Sequence, residues 1–340
     1  MIKRLAIATL LALSISAPAL AQQPSGKGTK IRYQAYQSTA EVLMRVAGAM
    51  FCPKYDLVCE PVFLPSSAQG LQALAGNSID VIYVGTDFGI RAASNGADIK
   101  IISGASDRIN LQVVNRKDVE FPNRKAGYPK MMKDYEGKRL GISGRGATSE
   151  IAFGLMMRNA GLDPEKVIFV PVGGPTTALG ALKAKAVDAV MLFQPLPAIC
   201  DTGRDLCETV IDLTREDRPP VMSQFDGAGI SLFSSGSLIQ KNPEALKAYI
   251  AAIKDAEAWL KNPANYEKAK ALAKGYLDLS IPNAESILEV GLKEQIGNTN
   301  TRTSVSGVRN FIKTLDERKL LGKTLQATDV IWAQALVGEK

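Results

Sequence analysis

Residues 136–197 alternate short apolar runs with single helical patterns, and that order leaves few folds open. Leu140-Gly141-Ile142 is followed by the turn Ser143-Gly144-Arg145-Gly146-Ala147-Thr148. A helical pattern then runs from Ser149 to Asn159 and stops at Gly161, as a helix C-terminus should. Val167–Val170 reads as the next strand, Gly173-Gly174-Pro175-Thr176 as a turn, Thr177–Lys185 as a helix and Asp188–Phe193 as a third strand. Strands separated by single helices pair in parallel through right-handed crossovers. Ligands of such sheets lie outside the carboxyl ends of the strands. Both turns at that end are small, polar and glycine-bearing, and the first carries an arginine.

At 340 residues the chain is long enough for two lobes. Residues 1–21 read as an export leader. Lys3 and Arg4 precede an apolar run from Leu5 to about Ile15, and Ala19-Leu20-Ala21 is a small-x-small cleavage site before Gln22. A membrane helix is the rival reading, but the apolar run is short for one. No cysteine follows the run to take a lipid anchor, so a periplasmic location is expected, with no membrane span in the mature chain. Loss of Lys3 and Arg4 lowers the formal charge from +7 to +5, with basic residues scattered, which does not point to a nucleic-acid partner.

The four cysteines form two equal short spacings, Cys52–Cys59 and Cys200–Cys207. Three pairings are possible; export favours disulfides, and the equal spacing favours the two local ones, each worth roughly 2.5 kcal/mol on a loop-entropy model. Zinc binding is the rival, without the expected C-x-x-C spacing. The chain contains no histidine, which excludes Ser-His-Asp and Cys-His catalysis and every histidine metal site. No metal, cofactor or catalytic residue is expected.

The first block repeats the same alternation: strands at Lys30–Tyr36, Val58–Leu64, Ile79–Val84 and Ile99–Ile102, with helices capped near Ser38 or Thr39, near Ser66 or Ser67, and at Thr86. Leu111–Val114 is expected to leave this block and Ile230–Phe233 to return to it. From Pro243 onward the pattern is helical, with starts at Asn242-Pro243, Asn262-Pro263 and Ile281-Pro282-Asn283 and further helices over Val308–Leu321 and Thr328–Val337.

Gln69–Val81 (QGLQALAGNSIDV) and Ala178–Val190 (ALGALKAKAVDAV) share one design: a helix, a small-residue turn, an (Ile/Val)-Asp pair and a buried strand. With Gly137–Ile142 (GKRLGI) and an exported N-terminus lacking a lipid-anchor cysteine, the chain resembles periplasmic solute-binding proteins of ABC importers, in the NMT1/THI5-like group serving nitrate, sulfonate and taurine-type uptake. The resemblance runs over about residues 30–260. It implies an α/β, type II periplasmic-binding-protein fold: two α/β lobes joined by a two-strand hinge, with C-terminal helices packed on lobe one. Lobe one would be 28–107 plus 226–340, and lobe two 108–225. It also implies a monomer that captures a small-molecule ligand, a sulfonate or carboxylate, and passes it to an inner-membrane permease. A thiamine-type pyrimidine or other neutral heterocycle, or a sensor role at a signalling receptor, are the alternatives. Enzymes of the THI5 type use pyridoxal phosphate and a histidine, a route closed to this chain.

The group's contact loops fall on Ser38-Thr39, Ser66-Ser67 and Gly85-Thr86-Asp87 in lobe one. In lobe two they fall on Gly146-Ala147-Thr148, Gly174-Pro175-Thr176 and Phe193-Gln194. The residues add their own chemistry. A helix beginning near Ala147 offers free N–H groups and a positive dipole end, and Arg145 offers a bidentate fork to an anion. Each serine and threonine is first a helix cap. Asp87 would repel an anion and is read as a cap. Tyr36 and Phe193 are candidate walls, with core packing as the alternative.

Overall fold

The computed structural model describes residues 23–36, 38–64, 66–203, 205–277 and 283–336, so the leader lies outside the described residues. In chain order the strands are β1 (Thr29–Ala35), β2 (Leu57–Phe63), β3 (Ile82–Gly85), β4 (Ile99–Ser106), β5 (Gln112–Arg116), β6 (Arg139–Ile142), β7 (Ile168–Pro171), β8 (Ala189–Leu192), β9 (Cys207–Asp212) and β10 (Ile230–Ser235). The helices are α1 (Val42–Val46), α2 (Ser67–Ala75), α3 (Thr86–Ser94), α4 (Thr148–Asn159), α5 (Pro175–Lys183), α6 (Leu196–Gly203), α7 (Gly236–Lys241), α8 (Pro243–Leu260), α9 (Tyr266–Tyr276), α10 (Ala284–Asn298), α11 (Val305–Glu317) and α12 (Ala327–Val330).

The two halves repeat one strand order. In the second, β7-β6-β8-β5-β9 form a five-stranded sheet in which β5 runs antiparallel to both neighbours. In the first, β1 and β2 pair in parallel, β1 bridges through Tyr33 to Val81 just before β3, and β10 runs antiparallel between β3 and β4. The antiparallel strand of each sheet arrives from the other half: β5 follows β4, and β10 returns after β9. Two α/β halves joined by two crossing segments are the architecture expected from the sequence.

The repeated (Ile/Val)-Asp motif has a structural cause. Asp80 accepts the backbone N–H of Arg32 at 2.8 Å and its guanidinium at 2.9 Å, while the Asp80 N–H donates to the Arg32 carbonyl at 2.8 Å. Asp188 does the same to Arg139, accepting its N–H at 2.8 Å and its guanidinium at 2.6 and 3.1 Å. Three residues before each aspartate the chain turns through a left-handed residue, Asn77 (φ 57°) and Lys185 (φ 58°). Each aspartate thus fixes the register of a parallel strand pair after its crossover helix.

The crossing segments pack tightly. The N–H groups of Gly227 and Gly229 donate to the Asp107 carbonyl, and a Cβ at Gly229 would lie 2.1 Å from the Arg108 carbonyl carbon. One apolar core runs through them, including Val84 of β3, Val113 of β5, Leu140 of β6 and Met191 of β8. Both disulfides are local, Cys52–Cys59 and Cys200–Cys207.

Four sequence expectations need correction. The helix after Ser38 is short and continues as a π turn over Ala47–Phe51 and a 3-10 turn over Cys52–Tyr55. Leu196–Gly203 and Cys207–Asp212 form α6 and β9, two elements that the sequence expectations do not include. The helix expected over Thr328–Val337 is broken, because Ile331 pairs with Ile101 of β4 and the Trp332 N–H donates to the Ile101 carbonyl; Val337 lies outside the described residues, as do Ile281 and Pro282. The C-terminal helices also reach beyond the first half: α10 packs on α6, and Arg318, just after α11, donates to the Ile151 carbonyl of α4.

Asp80→Ala leaves the Arg32 N–H without its carboxylate and should lower unfolding stability by about 1–3 kcal/mol. Asp188→Ala should act in the same direction. Denaturant titration checks both, and an unchanged midpoint for both would refute the clamp.

Candidate functional site

The carboxyl ends of the six parallel strands face each other across a cavity of about 300 Å³, the lower end of small-molecule sites. After β1 come Tyr36 and Ser38, after β2 Ser66 and Ser67, and at the end of β3 Gly85, with Phe88 in the first turn of α3. From the second half come Ser143, Gly144 and Arg145 after β6, Gly173 and Gly174 after β7, and Phe193 after β8. Asn110 and Leu111 of the outgoing crossing segment, with Ile230 of β10, form the floor.

The wall is mostly apolar. Tyr36 and Tyr83 meet edge-on, ring centroids 6.2 Å apart, and the Tyr36 hydroxyl donates to the Tyr83 carbonyl at 3.1 Å. Burial pushes both phenols above their ordinary range, so each stays a neutral hydroxyl. Ser38 caps the turn at Thr39, accepting from the Ala40 N–H at 3.1 Å, and donates across the cleft to the Gln194 carbonyl at 3.0 Å. Ser66 caps α2 through the Gln69 N–H. Ser143 and Ser149 share a hydrogen bond at 3.2 Å.

Of the residues named from sequence, Tyr36, Ser38, Ser66, Ser67, Gly85, Arg145, Ala147, Thr148, Gly174 and Phe193 line this cavity. Thr39, Thr86, Gly146, Thr176 and Gln194 do not. Thr39 is buried against α10, where a Cβ at Gly291 would meet its hydroxyl at 2.9 Å. The Thr86 hydroxyl bonds Ser231 at 2.7 Å between β3 and β10. Asp87 is not a side-chain cap; it is buried, and its Oδ1 accepts the Thr148 hydroxyl at 2.6 Å across the cleft. Burial raises its pKa, opposed by Arg91 and by the Thr148 hydroxyl. Tyr83, Phe88, Asn110 and Leu111 were missed. Tyr83 and Phe88 flank Gly85 and were legible as strand-end neighbours; Asn110 had only its polarity in an otherwise apolar crossing segment as a signal.

Part of the expected anion receptor at α4 is engaged within the protein. The Arg145 guanidinium sits 3.0 Å from the Glu150 carboxylate, its side chain 63% exposed. The other Glu150 oxygen accepts the Gly146 N–H, and the Gly146 carbonyl accepts from Arg91 of α3. Glu150, third residue of α4, therefore reaches back over its own helix start in the manner of a capping box.

Residues 90–266 match the family model described as NMT1/THI5 like. A binding protein of Brucella abortus (strain 2308) is 27% identical over 218 residues, 64% of this chain and 61% of that protein's length. The alkanesulfonate-binding protein SsuA from Xanthomonas axonopodis pv. citri, bound to MOPS, superposes with a TM-score of 0.70 at 16% identity, over 92% of this chain and 99% of that one. The periplasmic nitrate-binding protein NrtA from Synechocystis PCC 6803 gives 0.68 at 14% identity, over 92% and 89%. At these identities the likeness shows the fold, which is that of the periplasmic binding proteins.

Behind the cleft, Glu294 of α10 ties the halves together. It accepts from Gln112 of β5 and from Gln194, each at 2.6 Å. Burial, reinforced by the nearby carboxylates Asp212 and Asp201, pushes its pKa up to about 7 from 4.5, against the two amide donors. Between those values the folded protein holds a proton that the unfolded chain has lost, so this group makes stability fall as pH rises through the window. Glu294→Gln should therefore raise the unfolding free energy at about pH 8 by on the order of 1–3 kcal/mol, and with it the thermal midpoint, and change both little at about pH 4. Melting curves at both pH values check this; a larger effect at the acid end would contradict it.

Proposed function

The chain belongs to the NMT1/THI5-like family, and from that premise we propose that it is the substrate-binding component of an ABC importer. It acts in the periplasm, as a monomer, and hands a small organic molecule to an inner-membrane permease. The observation that carries this reading is the cavity between the halves, built from strand ends of both and floored by the crossing segments. A site divided in this way binds by rotation of the halves, with few dihedral changes at the crossings. We assign lobe one to 28–107 plus 226–340 and lobe two to 108–225. Among the described residues no helix is long and apolar enough to cross a membrane. Sulfonate and nitrate binding are stated of the structural neighbours; a sulfonate or carboxylate ligand is the finer reading carried from the resemblance, and the charges at α4 weigh against it. Binding without chemistry also accords with a chain that has no histidine.

Closure brings Gly85 against Thr148: a Cβ at Gly85 would lie 2.2 Å from the Thr148 hydroxyl oxygen. Native mass spectrometry of protein purified without denaturation should show a retained small molecule. Returning that molecule to stripped protein should lower the radius of gyration in small-angle scattering. Gly85→Ala should weaken its binding by about tenfold or more, because the added methyl opposes closure. An unchanged radius at saturation, with Gly85→Ala binding as wild type, would count against a closing receptor.

A further inference from the structure

We infer, on the reading of the cleft as a ligand site given above, that it takes an uncharged, ring-bearing small molecule hydrogen-bonded to the Asn110 amide, with Glu150 as the residue that keeps anions out. Three independent features of the site lead there.

The first is the wall. Tyr36, Tyr83 and Phe88 from one half face Phe193 from the other, over Leu111 and Ile230. Two aromatic faces brought together by closure suit a flat ring.

The second is charge. Among the described lining residues Arg145 is the one cation, and its guanidinium pairs with Glu150. Glu150 also takes the Gly146 N–H, a donor just ahead of α4, and so places a carboxylate where a carboxylate or sulfonate would approach the helix start. The Thr148 hydroxyl is committed to Asp87. An entering anion would have to displace a protein carboxylate or lie beside it in a partly dry cleft. A desolvated charge without a partner is costly, and a like charge adds to the cost. An uncharged polar group meets neither penalty.

The third is an unpaired polar side chain. Asn110 is 7% exposed, lines the cavity, and makes no side-chain hydrogen bond among the described residues. An amide supplies a neutral donor and a neutral acceptor side by side, the complement of a carboxamide, lactam or ring nitrogen with a neighbouring N–H. A site built around such a group discriminates strongly, because the wrong ligand leaves it buried and unmatched.

Calorimetry on the mature protein with three matched pairs tests the inference: benzamide and benzoate, nicotinamide and nicotinate, benzenesulfonamide and benzenesulfonate. The uncharged member of at least one pair should bind about tenfold tighter than its anion. Asn110→Leu should weaken that neutral ligand by about tenfold while the melting midpoint stays near wild type. Glu150→Gln keeps an acceptor for the Gly146 N–H but frees the Arg145 charge. It should tighten the anion by about tenfold and move the neutral partner by less than about threefold. An anion bound as tightly as its neutral partner by wild-type protein overturns the inference, and so does failure of every pair to bind at about 10 mM. Recovery of an anionic or ring-free molecule by native mass spectrometry overturns this ligand class while leaving the receptor reading intact. Absence of both ligand retention and closure would remove that reading itself.

Discussion

The molecule depends on a contact made twice. An aspartate at the head of β3 or β8 holds both the backbone N–H and the guanidinium of an arginine on the neighbouring parallel strand. Parallel pairing gives no hairpin to set its register, because the strands are joined through a crossover helix. The aspartate supplies the register from the amino end, after a left-handed turn that ends the helix. A slip of one residue would send every side chain to the opposite face. The carboxyl ends of β1, β3, β6 and β8 would then present different residues, and Tyr36, Gly85, Ser143 and Phe193 would not meet. The clamps lie far from the cavity, yet they decide what lines it.

What could be read from sequence follows from that geometry. Alternation of apolar runs and helices, capping serines at Ser38 and Ser66, and the equal cysteine spacings are local signals, and all of them hold in the structure. The exchange of β5 and β10 between sheets was legible only as two expected crossings, since strand order is set by contacts distant in sequence. β9 was lost because Cys207–Asp212 carries no clean alternation and sits on a sheet edge. The last helix failed for a related reason: a β-bridge from Ile331 to Ile101 outweighed helical periodicity.

At Arg145 two local signals compete. Arginine between two glycines at a strand end looks like a clamp for an anion, and the helix start beyond it strengthens that impression. The counter-signal was also local: Glu150 stands three residues after the Ala147 cap, where a glutamate reaches back to the helix start. A helix N-terminus attracts negative charge from any source, and a tethered carboxylate has a far higher local concentration than a solute. The same physics that recommends such a site to an anion lets the protein fill it from within.

The rim contacts between the halves set how the cleft can respond. Ser38 to Gln194, Thr148 to Asp87 and Arg91 to Gly146 are hydrogen bonds whose partners find water when the halves part. Each is worth about 0.5–3 kcal/mol net, so together they favour closure only modestly. A ligand that touched one half alone would bind open and closed forms equally and shift nothing. Only a molecule that spans from Tyr36 and Tyr83 to Phe193 adds free energy to the closed form. On the receptor reading proposed above, the division of the aromatic wall between the halves makes closure report occupancy, the change that a partner outside the cleft would read.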